Sequence, residues 1–242
     1  NLNVACGRGA LAANTTAQGN TAVGNNSLGT VSTGAHNTAV GRDAGLNITT
    51  GTQHVAVGAF ALDSQTTGQD CTAIGYAALA SNTTASHNVA LGSFSLVANT
   101  TGDQNVAVGA NALDANTTGA NNTALGRSAL GENTTANNNT AVGKLALFAN
   151  TTGNQNTAVG ANALDANTTG QENTAVGYHS LGATTTGSSN TAVGHECGTS
   201  NTTGQRNVAV GNTTLYYNTT GNDNTAVGRG ALSANTTASF NT

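Results

Sequence analysis

The sequence predicts an all-β parallel solenoid, a β-roll in which each 17-residue repeat forms one turn, and three observations support this. The motif Asn-Thr-Ala-Val-Gly begins at Asn20 and returns at spacings of 17 residues or a multiple of 17. Counted from Asn3 as position 1, fourteen copies follow one another to Phe240 without an insertion or deletion. Apolar residues keep fixed positions within these copies. A repeat that stays in phase this long indicates stacked units of constrained length.

Positions 1 to 5 of the repeat are predicted to form a strand. Position 3 is Ala and position 5 is Gly in every copy, while position 4 is Val in ten of the fourteen. Short Val and Thr runs bounded by Gly and Asn are typical of strands. Apolar residues do not recur at intervals of three and four residues, so the pattern does not indicate a helix. Because side chains alternate along a strand, we predict that positions 2 and 4 point inward and positions 1 and 3 outward.

Positions 8 to 9 and 12 to 15 are the other two restricted segments. Position 9 is Leu in twelve copies, which predicts a second core column, and we expect irregular or thinly packed turns at the two exceptions, Gly45 and Gly198. Positions 12 to 14 hold Asn-Thr-Thr in ten copies, and position 15 is Gly or Ala in all of them. All sixteen charged residues fall at the variable positions 6, 7, 10, 11, 16 and 17, which are predicted to be exposed corners.

The uninterrupted repeat leaves no place for a boundary, so we predict a single solenoid segment over 1-242, with its repeats at 3-240. Because the chain starts and stops within a repeat, we expect a segment of a longer fibre. Only 7% of the residues are charged and the net charge is −4, without the basic patch that nucleic acid requires. There is also no apolar run approaching the length of a membrane span.

The acidic residues and histidines are scattered over different corners, so we predict no enzymatic activity and no cofactor. One local group contains residue types that bind divalent metals, but a solvated corner tolerates the same residues, so no metal site is predicted there: His179, His195, Glu196 and Cys197. The three cysteines lie in distant copies and are predicted to be unlinked: Cys6, Cys71 and Cys197.

The invariant Ala at position 3 is interpreted as an oligomer seam. A solvated column would vary as the corners do, whereas this one never exceeds a methyl group, which indicates close packing against a neighbouring chain. The alternative is a tight bend restricted by its own turn. The predicted seam comprises Ala22, Ala39, Ala56, Ala73, Ala90, Ala107, Ala124, Ala141, Ala158, Ala175, Ala192, Ala209 and Ala226.

The aromatic residues all occupy variable corner positions, which suggests exposed contacts for glycans, proteins or other fibres. The alternative is that a corner merely tolerates them. The candidate contact residues are Phe60, Tyr76, Phe94, Phe148, Tyr178, Tyr216 and Tyr217. Asn-Thr-Thr also recurs as a formal glycosylation acceptor at position 12, where stacked Asn ladders are the favoured explanation. Corner acceptors are better placed for a glycan: Asn25, Asn121, Asn138 and Asn212.

The Asn-Thr-Ala-Val-Gly element, followed by a small-Leu pair and Asn-Thr-Thr-Gly, resembles the head repeats of trimeric autotransporter adhesins. It resembles still more the 17-residue arrays of bacterial and phage-like tail-fibre-domain surface proteins. The resemblance covers Asn3 to Phe240. It implies a left-handed parallel β-roll, three chains side by side and an extracellular location on a cell or virion surface. The 17-residue repeat is longer than the repeat of typical adhesin heads, and this sequence shows no coiled-coil stalk.

The favoured function is therefore an adhesive or structural surface fibre that self-associates, as a homotrimer or laterally, and contacts surface glycans or host and matrix proteins. A phage-type tail-fibre shaft is one alternative. An ice-binding solenoid is another, because position 13 is Thr in all copies but one. Position 15, the next residue on that face, is Gly or Ala, so a second Thr rank is missing there.

Overall fold

The computed structural model describes residues 2–242, which contain fourteen three-residue strands and no helix. It divides into two compact units, one ending at Asn121 and one beginning at Asn122, and each unit is a parallel β-solenoid. The first unit contains β1 (Val4–Cys6), β2 (Thr21–Val23), β3 (Thr38–Val40), β4 (Val55–Val57), β5 (Thr72–Ile74), β6 (Val89–Leu91) and β7 (Val106–Val108). The second unit contains β8 (Thr123–Leu125), β9 (Thr140–Val142), β10 (Thr157–Val159), β11 (Thr174–Val176), β12 (Thr191–Val193), β13 (Val208–Val210) and β14 (Thr225–Val227).

Successive strands within each unit pair in parallel at the same repeat position. In the first unit Ala5 is opposite Ala22, and in the second Val142 is opposite Val159. Each turn therefore consumes 17 residues, and the predicted all-β solenoid is confirmed. That residues 1-242 form one continuous domain stays a prediction.

The inward and outward faces of the strands are the reverse of those predicted. The position-3 alanines, such as Ala56 and Ala141, are fully buried inside their own unit, whereas position 4 points outward, as at Val40. The assignment of the Val column to the core was therefore wrong. The Leu column at position 9 was placed correctly, since Leu62 and Leu147 are fully buried.

Asparagine at position 1 explains why positions 1 and 3 face inward. Asn37 donates from Nδ2 to the carbonyl of Gly51, 3.0 Å away in its own turn, and its backbone N–H donates to Asn20 Oδ1 of the preceding turn at 2.8 Å. Buried polar groups need such partners. With the amides committed to the interior, the next inward residue of the strand lies where only a methyl group fits.

A second interior ladder is formed by asparagine at position 12. Asn116 donates from Nδ2 to Asn99 Oδ1 at 2.8 Å and to the Gly119 carbonyl at 3.0 Å. Asn105, at position 1 of the same turn, donates to that same carbonyl at 2.8 Å. Both ladders thus converge on the backbone oxygen of position 15, and the predicted Asn ladders are confirmed.

The His54 substitution in the position-1 ladder preserves the hydrogen-bond pattern. His54 replaces Asn at position 1, and its Nε2 lies 2.9 Å from the Gly68 carbonyl while Nδ1 accepts the Cys71 N–H at 3.2 Å. A neutral imidazole protonated at Nε2 offers one donor and one acceptor, as the amide does. Burial lowers the pKa of His54, because the charged form loses its solvation.

Leu at position 9 adopts a left-handed backbone, with φ between +48° and +54° in all twelve copies. This conformation costs about 1–2 kcal/mol for a non-glycine residue. Burial of the Leu side chain contributes about 1.5–3 kcal/mol in the opposite direction. The position therefore retains Leu because its packing outweighs its backbone strain.

The two turns with Gly at position 9 keep a regular backbone, so the expected irregularity is wrong. Gly45 and Gly198 have φ of +59° and +61°, and each donates its N–H to the next turn at 2.9 Å. At Gly45, the side chains of Ile48 and Leu28 occupy the space. At Gly198 a cavity of about 10 Å³ remains beside Leu181. Thin packing, the other part of that expectation, is therefore present at Gly198.

The His54→Asn substitution is expected to reduce acid sensitivity. Because the folded-state pKa of His54 is lowered, the stability that depends on its neutral form is present above about pH 6.5 and lost as the pH falls below it. The urea midpoint should drop less between pH 7 and pH 5 in the variant than in the parent. His36→Asn, at an exposed corner, is the control. Equal pH dependence in the parent and His54→Asn would contradict this role.

Gly198→Leu is expected to be less destabilising than Gly45→Leu. A Cβ added at 198 would lie 2.9 Å from the Cδ2 of one flexible side chain, Leu181, which can shift toward the cavity, so the cost should be about 1 kcal/mol or less. Leu at 45 would overlap the Ile48 and Leu28 methyls and should cost about 1–3 kcal/mol. Urea unfolding followed by circular dichroism measures both, and equal destabilisation would contradict the difference in packing.

Candidate functional site

The outward side chains at positions 2 and 4 form one continuous surface in each unit, which we call the strand face. Val40 is 39% exposed in the first unit and Leu125 is 46% exposed in the second. The hydroxyls of Thr140 and Thr157, at position 2, have no hydrogen-bond partner within residues 2–242. Since every charged residue lies at another repeat position, the strand face is an uncharged array of methyl and hydroxyl groups.

The predicted Ala seam cannot contact a neighbouring chain, because its side chains are buried within their own units. Their exposure is between 0% and 3% without any partner present. The invariance of the column therefore reflects the narrow space beside the Asn ladder. This correction applies to Ala22, Ala39, Ala56, Ala73, Ala90, Ala107, Ala124, Ala141, Ala158, Ala175, Ala192, Ala209 and Ala226.

Three of the candidate aromatic residues form a cluster in the first unit. Tyr76 lies edge-on between Phe60 and Phe94, with ring centroids 5.9 Å and 5.2 Å apart, and the Arg42 guanidinium lies 4.4 Å from the Phe60 ring centroid. Tyr76 and Phe94 are exposed, whereas Phe60 is half-buried. The three rings, on three successive turns, thus bury part of their apolar surface against each other.

The remaining candidate aromatics lie in the second unit. Tyr178 stacks on His195 with ring centroids 5.3 Å apart, and Tyr216 and Tyr217 meet edge to face at 4.7 Å. Tyr178 and Tyr217 are exposed, while Tyr216 and Phe148 are half-buried. The structure thus places Tyr216 against Tyr217 and Tyr178 against His195, contacts that sequence reasoning treated as separate corners.

A shallow depression of about 330 Å³ lies beside these tyrosines. Its lining comprises Glu196, Thr213, Tyr216, Tyr217 and Ser233. Glu196 Oε2 also lies 3.7 Å from His195 Nδ1. The lining therefore combines a carboxylate, two aliphatic hydroxyls and two tyrosine rings.

The side chains of His179, His195, Glu196 and Cys197 do not point toward a common centre that could hold a metal ion. Cys197 points inward, where its Sγ donates to the Ala209 carbonyl at 3.2 Å, away from His195 and Glu196. No group of three or more His, Cys, Asp or Glu in the described residues is arranged to hold a metal ion. A ligand at this corner would therefore have to be recognised by Glu196 and the aromatic rings.

The two Thr columns differ in a way that the sequence did not reveal. Position 13 is half-buried, and its hydroxyl donates to a backbone carbonyl of the next turn, as Thr66 does to Thr83 at 2.9 Å. Position 14 is exposed, as at Thr67 and Thr152. The Thr rank considered for ice binding is therefore committed to the backbone. Position 14 is Thr in every copy, and this invariance is the sequence feature that could have indicated an exposed column of Thr.

The potential glycosylation acceptors fall into two classes. Asn at position 12, such as Asn99 and Asn150, is buried and its Nδ2 is engaged in the ladder, so a glycan cannot attach there without unfolding the turn. The corner acceptors are exposed, as predicted: Asn25, Asn121, Asn138 and Asn212.

The three cysteines are unpaired thiols in different environments. Cys6 is exposed, whereas Cys71 and Cys197 are buried. Burial raises the pKa of the Cys71 thiol to about 11 and that of Cys197 to about 11, because the thiolate would lose its solvation. Since the thiolate is the reactive form, only Cys6 has the exposure that alkylation requires.

Iodoacetamide at pH 8 is expected to modify one thiol per folded chain and three in urea. The Cys6→Ser variant should lose the modification of the folded protein entirely, because the two remaining thiols are buried and protonated. Intact-mass measurement counts the adducts. Two or three adducts forming at one rate in the folded parent would contradict the inward placement of Cys71 and Cys197.

No protein-family model matches this chain, and no curated protein matches its sequence. Within the described residues, no helix has the length and apolar character needed to cross a membrane. The molecule is therefore defined by its structure, a parallel β-solenoid with 17-residue turns and Asn- and Thr-rich bends.

Proposed function

We propose that this chain is a segment of an extracellular structural and adhesive fibre on a cell or virion surface, assembled side by side with copies of itself. The observation that carries the proposal is the strand face, which exposes uncharged Val, Leu, Ile and Thr side chains on successive turns of each unit. Soluble monomers rarely expose contiguous apolar patches beyond a few hundred Å². Such a surface in each unit favours a protein that is covered by a partner.

A second copy of the chain is the partner that this surface fits. Its side chains form ridges that repeat at strand spacing, about 4.8 Å, so they interdigitate best with a surface of the same period. The surface carries no charge that would select an oppositely charged partner. The resemblance to trimeric adhesin heads suggests three chains. The charged and aromatic corners would then remain outward, available to glycans or proteins.

The Leu125→Lys, Val142→Lys and Val159→Lys triple variant is expected to abolish self-association. Three ammonium groups would enter a desolvated apolar contact, whereas in the monomer their stems lie along the exposed face and the charges stay in water. Sedimentation velocity should show an oligomeric parent and a monomeric variant with unchanged circular dichroism.

The control carries the same added charge at corners of the same three turns, through Asn138→Lys, Gln155→Lys and Ala161→Lys, and should assemble like the parent. A monomeric parent, or a face variant that assembles like the parent, would sink the proposal. Arg at Ala124, Ala141 and Ala158 is a different experiment, because those charges would be buried inside the turns and should unfold them.

Ice binding is the second candidate, and one observation favours it. The strand face of β8 to β12 carries a rank of five Thr beside a rank of Leu and Val, which is the two-rank outward array that positions 13 and 15 lack. This function needs the face free in water, whereas assembly covers it. Thermal hysteresis in a parent that sediments as a monomer would favour ice binding over assembly. A tail-fibre shaft differs from the main proposal in its attachment, which the flanking sequence would identify.

A further inference from the structure

The depression between Glu196 and Ser233 lies on a different surface from the strand face. Its lining residues occupy repeat positions 7, 10 and 11 of three successive turns of the second unit. Its volume of about 330 Å³ is at the lower end of the range for small-molecule sites, and its open form suits a ligand that remains partly in solvent.

Aromatic rings supply the apolar part of this depression. Tyr216 and Tyr217 are nearly perpendicular, with an interplanar angle of 81° and ring centroids 4.7 Å apart. Tyr217 is 57% exposed, so one ring surface remains uncovered. A flat, exposed tyrosine ring supported from the side by a second ring can pack against the C–H face of a pyranose while its hydroxyl reaches water.

Polar groups surround the rings. The hydroxyls of Thr213, Ser233 and both tyrosines have no hydrogen-bond partner in the described part of the chain, and each can donate and accept. Glu196 adds a carboxylate that accepts bonds from ligand hydroxyls.

Other side chains of the same corner lie beside this carboxylate. Glu196 Oε2 lies 3.7 Å from His195 Nδ1, the His195 ring is stacked on Tyr178, and its Nδ1 lies 3.4 Å from Asn212 Nδ2. The backbone of Glu196 is in the left-handed region, with φ of +51°. The carboxylate therefore lies at a corner that carries aromatic and polar groups from neighbouring turns.

We propose that this depression is a binding site for a neutral saccharide, whose ring stacks on Tyr217 and whose hydroxyls bond to Glu196, Thr213 and Ser233. No lysine or arginine lines it, which disfavours phosphate, sulfate or carboxylate sugars. This proposal rests on the adhesive function proposed above and names the class of ligand that the fibre would bind. Because it is separate from the strand face, its chemistry does not require assembly.

Titration of the full chain with maltose, cellobiose, lactose and N,N′-diacetylchitobiose tests the site. The chain has four Tyr and no Trp, so tyrosine fluorescence reports directly on the aromatic rings. At least one of these disaccharides should change the fluorescence saturably. Tyr217→Ala should weaken that binding about tenfold or more, as loss of a central aromatic contact does. Tyr76→Ala, an exposed tyrosine of the first unit, should leave the affinity unchanged.

Choline chloride distinguishes a cation site, since two rings and a carboxylate also suit an organic ammonium. Glu196→Gln keeps an oxygen acceptor but removes the charge, so saccharide binding should weaken less than tenfold. Saturable choline binding that Glu196→Gln abolishes, without a response to any of the four disaccharides, overturns the proposal. So does a Tyr217→Ala variant that binds saccharide like the parent.

Sedimentation velocity of the same samples separates this proposal from the assembly proposal. Tyr217→Ala should sediment like the parent, because Tyr217 lies outside the strand face. Conversely, the Leu125→Lys, Val142→Lys and Val159→Lys variant should retain saccharide binding while it loses assembly. Loss of saccharide binding in that variant would overturn the independence of the depression from the strand face.

Discussion

The hydrogen bonds of the buried asparagine ladders are the constraint on which each unit depends. An amide at position 1 and another at position 12 donate to the same carbonyl at position 15, as Asn156 and Asn167 do to Gly170. Each position-1 amide also accepts a backbone N–H of the next turn, as Asn139 does from Asn156. Because these bonds join successive turns within each unit wherever both positions carry an amide, insertion of one residue there would misplace both amides at once. The gapless repeat follows from this requirement.

The ladders also determine which residues pack inside. With amides filling one side of the interior, the remaining space accommodates a methyl group at position 3, a small residue at position 8 and one Leu at position 9. The larger β-branched residues of position 4 are left on the outside, as at Val193 and Val210. A solenoid with an interior of amides and small residues therefore exposes much of its apolar surface, which is the physical reason for proposing assembly.

The sequence was sufficient to predict the turn length, the parallel register, the Leu column and the corners, because each depends on periodicity alone. It did not predict the orientation of the strand. Both Ala and Val columns are restricted, and hydrophobicity favours burying Val, whereas satisfying the Asn amide requires burying Ala. Nor did it predict the grouping of Glu196 with Tyr216 and Tyr217, since that neighbourhood depends on a left-handed backbone at position 7, which no single residue type marks.

The buried asparagine ladders place the residues that stabilise a turn on the inside and leave the corner residues free to vary. Residues that hold a turn together face inward, so a corner residue can change without disturbing a ladder bond. The corner of Tyr178, His195 and Glu196 illustrates this, because the turns that carry it retain buried Asn173 and Asn190 in the same ladder. A binding surface on this fold is built by varying corners on neighbouring turns, whose side chains lie about one strand spacing apart. Recognition sites should therefore extend along the solenoid axis across two or three turns, as the tyrosine depression does.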